Sequence, residues 1–211
     1  MTKSYKQSMN RLKNNIKDIL DIFINDNKLI IDIVENCSQK AALEGKNRLN
    51  DENISNRLEK LDSDIVDILS LKDIKKKDIK AASVYLKVNS DLSKVAKNIR
   101  TVITKLQLCS KDLEDISIKK YAVKIYKNII KILNILKNML VLDDLDEIND
   151  EYEQIIILES KIDNTYEDIN RYIVKESSNN DPHEDVMVVL RKSEKIAART
   201  VSIASLIKYG N

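Results

Sequence analysis

The sequence predicts an all-α protein, and three observations carry that prediction. Of 211 residues only 2 are glycine and 1 is proline, with no tryptophan and a single phenylalanine. The turns that β-sandwiches and α/β sheets require cannot be supplied in number from so few. Apolar residues instead recur at three-and-four spacing over runs far longer than a strand. Finally, a hydrophobic content of 43% suffices for a buried core, while 33% charged residues keep the surface wet.

Six helical stretches follow, and the scarce breaks set their limits. The first spans about Ser4 to Leu43, with Leu12, Ile16, Ile19, Leu20, Phe23, Ile30 and Ile33 on one face, and is expected to stop at Glu44-Gly45. The second starts near Asn50 or Asp51, either of which can accept from the free amides of a helix start. It carries Ile54, Leu58, Leu61, Ile65, Ile68 and Leu69. After a lysine-rich link, the third runs from about Lys77 to Leu108, with Ile79, Ala82, Tyr85, Val88, Leu92, Val95, Ile99, Val102 and Leu106 forming its stripe. A polar break precedes the fourth, about Ser117 to Leu142, rich in Ile and Leu with lysines opposite. The fifth, Leu145 to Lys175, presents Tyr152, Ile155, Ile156, Leu158, Ile162, Tyr166, Ile169 and Ile173. Asp181 as cap and Pro182 as first helical residue then open a sixth helix, which ends near Tyr209.

Three long helices, a polar break and three more suggest an internal duplication. An offset of 101 positions lays Lys94-Val95-Ala96 on Lys195-Ile196-Ala197 and Val102-Ile103 on Ile203-Ala204. The expected organisation is a first three-helix repeat over residues 1–109 and a second over 110–211. On pattern alone, one irregular helical bundle is the alternative.

Charge and composition exclude several classes of function. Lys and Arg number 36 against 34 Asp and Glu, a net charge of +2 that is neither a nucleic-acid clamp nor an acidic tail. The lysines at 75–77 and Lys119, Lys120, Lys124, Lys127 and Lys131 read as solvated helix faces, because acids are interleaved elsewhere and aromatic residues for base stacking are few. No apolar run reaches membrane-spanning length and the N-terminus lacks a signal-like core, which predicts a cytoplasmic protein. Cys37 and Cys109 stand apart, without a CxxC pair, and are expected to pack as small reduced hydrophobes. One histidine, His183, rules out His-based triads and the paired Glu-x-x-His motifs of di-iron bundles. Two glycines, Gly45 and Gly210, cannot form a phosphate loop. Glu159 and Asp163 lie four apart on the fifth helix and so share a face, a spacing that lets two carboxylates converge on a hard or borderline metal ion.

At the third and sixth helices the pattern becomes specific. Asp78-Ile79-Lys80 and, further on, Asp91-Leu92-Ser93-Lys94-Val95-Ala96-Lys97 resemble the D-L-R opening and D-L-E-R-I-G-D core of the PhoU family, the accessory and regulatory proteins of phosphate uptake. Ser193-Glu194-Lys195-Ile196-Ala197-Ala198-Arg199, continuing through Ile203-Ala204 to Tyr209-Gly210, is similar to the family's L-E-R-I-A-D-H run. Glu159, Ile162, Asp163 and Tyr166 resemble the acidic signature that precedes it.

The resemblance implies a tandem repeat of two antiparallel three-helix bundles, often dimeric, that works by binding partners and without catalysis. The implied partners are a phosphate transporter or phosphate-signalling proteins, with no nucleic acid and no membrane insertion. It also implies metal sites from paired acidic motifs on the second and third helices of each repeat. In the first repeat those positions hold Leu58, Asp62, Ser93 and Lys97, and an ammonium there opposes a cation. In the second, Glu159, Asp163 and Glu194 remain while Ala198 replaces a fourth carboxylate and Arg199 follows it. The expected cofactor is therefore none, or a weakly bound divalent or ferric ion at these three. A structural or scaffolding bundle that keeps the fold and has lost metal binding is the alternative function.

Overall fold

The computed structural model describes residues 3–36, 43, 45, 54–72, 74–107, 115–176 and 184–210. Among them the chain forms six long helices and no strand: α1 (Lys3–Asn36), α2 (Ile54–Leu69), α3 (Lys76–Leu106), α4 (Ile116–Met139), α5 (Leu145–Glu176) and α6 (Glu184–Gly210). Cys37, Glu44, Asn50, Asp51, Cys109, Asp181, Pro182 and His183 lie outside the described residues, so the expectations placed on them do too.

Local chemistry accounts for several of the ends. The Asp115 carboxylate accepts from the amides of Ser117 and Ile118 and starts α4. Asp144 does the same for α5 through the amides of Asp146 and Glu147. Asp146 and Glu147 also place negative charge at the positive end of the helix dipole, as Glu184 and Asp185 do on α6. The stop expected at Glu44-Gly45 lies at the edge of the described residues, of which Gly45 is one. Gly45 is itself helical, and a Cβ built on it would lie 2.8 Å from Leu29 Cδ2, so glycine there permits close packing.

The apolar stripes turn inward nearly as the sequence predicts. Leu12, Ile16, Ile19, Leu20, Phe23, Ile30 and Ile33 of α1 are buried, as are Ile54, Leu58, Leu61, Ile65 and Ile68 of α2. On α3 the stripe holds from Ala82 to Leu106, but Ile79 is 41% exposed. It lies in the first turn of the helix, where Asp78 takes the inward position and accepts a bond from the Tyr5 hydroxyl on its carbonyl oxygen.

Helices α1 to α3 pack together, as do α4 to α6, and the most extensive helix contact among the described residues joins the halves through α3 and α6. That crossing is antiparallel: Lys105 near the end of α3 meets Asp185 at the start of α6 at 2.7 Å, while Gly210 at the end of α6 lies against Val84 near the start of α3. Helices α1 and α4 also cross antiparallel, with Asp21 paired to Lys137 and Glu35 beside Lys127. Two halves related by a two-fold rotation would cross in this way. The burial pattern carries the 101-residue offset as well: Tyr85, Val88, Leu92, Val95, Val102 and Ile103 correspond to buried Val186, Val189, Ser193, Ile196, Ile203 and Ala204.

Candidate functional site

Each half presents a helix pair on which the acidic motifs fall, α2 with α3 and α5 with α6. In the first half, Leu58, Asp62, Ser93 and Lys97 line one cleft of about 620 Å³, so the positions singled out by the sequence do converge in space. Two facts make this a poor cation site. The Asp62 carboxylate accepts a 2.7 Å bond from the Asn89 amide, whose nitrogen also donates to the Leu58 carbonyl. Lys97 and Arg100 bring two positive charges to the same walls. Glu59 and Asp26 also line the walls, so the cleft mixes both signs of charge while its motif positions supply one carboxylate.

The cleft contains a residue that the pattern did not single out. Asp26 of α1 is only 2% exposed and lines it beside Phe23. A signal existed, since Asp26 falls three residues after Phe23 and four before Ile30, on the stripe that is otherwise apolar. Asn27, next to it, is also buried and ties its side-chain amide to the Phe23 carbonyl at 2.7 Å.

In the second half Glu159 and Asp163 project from α5 and Glu194 from α6, all partly buried. Their charges feel one another. Burial, then the Asp163 and Glu194 carboxylates, push Glu159 above the usual carboxylate range. Asp163 is raised by burial and by Glu167, and Glu194 by burial and by Asp163, with Lys195 opposing. The trio thus forms one patch of concentrated negative potential. Yet among the described residues no three His, Cys, Asp or Glu side chains are gathered closely enough to hold a metal ion. A multinuclear cluster does not fit these residues.

Arg199, which follows Ala198 in the motif, is turned to another partner. Its Nη1 lies 3.5 Å from Asp91 Oδ1 on α3, across the junction of the two halves. Lys94 Nζ approaches the same oxygen at 2.9 Å, and the Ser202 hydroxyl donates to Asp91 Oδ2 at 2.7 Å. Asp91 is the first acid of the α3 motif and its side chain is 8% exposed. It fastens α3 to α6 and stays away from the cleft. A second buried polar link, the Tyr126 hydroxyl to Ser193 Oγ, joins α4 to α6, while Ser193 donates onward to the Val189 carbonyl.

No protein-family model matches the sequence, and no curated protein matches it. The fold is matched by a solved structure. The crystal structure of PhoU from Pseudomonas aeruginosa superposes with a TM-score of 0.81 over 98% of this chain and 98% of that one, at 13% sequence identity. The chain therefore has the PhoU fold along almost its whole length in a strongly diverged sequence. Among the described residues no helix is long and apolar enough to cross a membrane.

Proposed function

We propose that this chain is a regulator of phosphate transport or phosphate signalling that works through protein contacts and not through turnover. The observation that carries the reading is the agreement, over 98% of both chains, with the fold of a PhoU protein. The ordered motifs at Asp78, Asp91, Glu159 and Glu194 support it independently of the fold. Residues 1–109 and 110–211 are proposed as its two repeats, and the cytoplasm as its place of work.

Glu159, Asp163 and Glu194 are the proposed location of any bound ion. Their shared negative potential supports that location, although the three must close in to act as ligands together. A second reading is a scaffolding bundle that has kept the fold and lost the family's metal chemistry. The charge at Lys97 and the methyl group at Ala198 favour it, because both remove ligands at motif positions.

Affinity capture separates the two. The tagged chain, captured from phosphate-replete cells, should enrich phosphate-permease or phosphate-sensing components over a tagged helical bundle of unrelated sequence. Equal recovery of those components by both baits would contradict the regulatory reading.

A further inference from the structure

Helix α4 carries six lysines, at positions 119, 120, 124, 127, 131 and 137, and no Asp or Glu in its 24 residues. Such segregation stands out in a chain whose acids and bases are nearly equal in number. Lys120, Lys124, Lys127 and Lys131 follow one another at spacings of four, three and four, so they form one row along the helix. Like charges at these spacings repel, and the row therefore works against the helix that bears it. Lys137 is neutralised by Asp21, and Lys127 lies 3.9 Å from Glu35. Among the described residues Lys120, Lys124, Lys131 and Lys161 form no ion pair.

The row forms one wall of a groove. Lys161 of α5 stands across from it, and the groove, about 760 Å³, is lined by six lysines against one glutamate, Glu35. Val123 lies on its floor, and Ile116, at its end, is 80% exposed. Lys131 and Lys161 also border a second hollow of about 460 Å³, floored by Ile135, Ile157 and Leu158, so the two run together between α4 and α5. Ile157 is 54% exposed there.

We propose that this groove docks an acidic amphipathic segment of a partner protein, with its carboxylates against the lysine row and its apolar side on the floor. Charge complementarity sets the sign of the partner. The pattern selects its class: a lysine row beside a strip of apolar side chains between two helices complements the acidic and apolar faces of an amphipathic helix, in the manner of helix-in-groove recognition. Nucleic acid fits less well, since the lining holds no arginine to read base edges and no aromatic ring to stack on bases. The proposal deepens the regulatory reading by giving it a contact surface. Phosphate has no part in its test, so the failure of either leaves the other standing.

The probe is a fluorescein-labelled synthetic helix of about sixteen residues, about 24 Å long at 1.5 Å per residue, with leucine on one face and glutamate on the others, long enough to cover the roughly 16 Å between Lys120 and Lys131. Anisotropy with the full chain should show binding that weakens with salt. The variant K120E/K124E/K131E should bind at least about tenfold more weakly, a loss expected when charge pairs along an interface become repulsive. The neutral K120Q/K124Q/K131Q should fall between, and Ile157→Asp should weaken binding with the lysines intact. Equal affinity of wild type and both lysine variants would overturn the proposal. So would no binding of the peptide by wild type, and capture of the chain by phosphatidylglycerol vesicles or by duplex DNA in that case would reassign the groove.

Discussion

Between α2 and α3 the first half sets Asp62, Ser93 and Lys97 around an open cleft, whereas between α5 and α6 the second half sets Glu159, Asp163 and Glu194. The first mixes charges and ties its one motif carboxylate to Asn89; the second concentrates negative charge that burial and proximity resist. The scaffold beneath is nonetheless the same, with buried positions on α3 and α6 in register. The contrast teaches that the fold is held by the apolar stripes and the α3 to α6 junction, while the rim between helices is free to change its chemistry.

The largest effect should come from the shared scaffold. Leu92 and Ile196 are fully buried on the stripes of α3 and α6, and Leu92→Ala or Ile196→Ala should each cost about 2–5 kcal/mol in chemical denaturation. A loss below about 0.5 kcal/mol, the size of an ordinary surface change, would show that the stripes do not hold the halves together. Next comes the junction. Asp91→Ala removes an acceptor shared by Lys94, Arg199 and Ser202. The two cations are about half exposed, so the expected cost is about 1–3 kcal/mol. Arg199→Ala should cost less than Asp91→Ala, and the reverse order would break the account of the junction.

The smallest effect distinguishes the second rim from the first. Each carboxyl of the trio binds its proton more tightly in the folded chain than in the unfolded one. The stabilising contribution is therefore complete below the ordinary carboxylate pKa and is lost as pH rises through the raised folded value. Glu159→Gln with Glu194→Gln should remove that loss, raising Tm at pH 7 by up to about 2 °C, the range of a surface substitution. The gain should vanish below about pH 4, where the wild-type carboxyls are protonated as well. An equal gain at both pH values would show that charge is not its source.

Most of the fold was legible in the sequence because scarce glycine and proline left long uninterrupted periods, and burial follows the 3.6-residue stripe wherever a helix has neighbours on that side. Ile79 departs from it because in the first turn of α3 Asp78, and not Ile79, turns inward. Motif positions on one helix pair could be read too: in the first half they line one cleft, while in the second half Glu159, Asp163 and Glu194 share a negative patch without closing on a single point. What the sequence withheld was partnership across helices: that Asp91 serves Arg199 and Ser202, that Asn89 occupies Asp62, and that Lys161 faces the α4 row. These pairings depend on how two helices are staggered, which periodicity within either one does not encode.

The proposed role of this chain is the regulation of phosphate handling through protein contacts. Uptake of radiolabelled phosphate tests it most directly, in phosphate-replete cells that carry the chain, lack it, or lack it and express it from a plasmid. The account predicts that removal changes the uptake rate and that re-expression restores it. An identical rate in all three would contradict it.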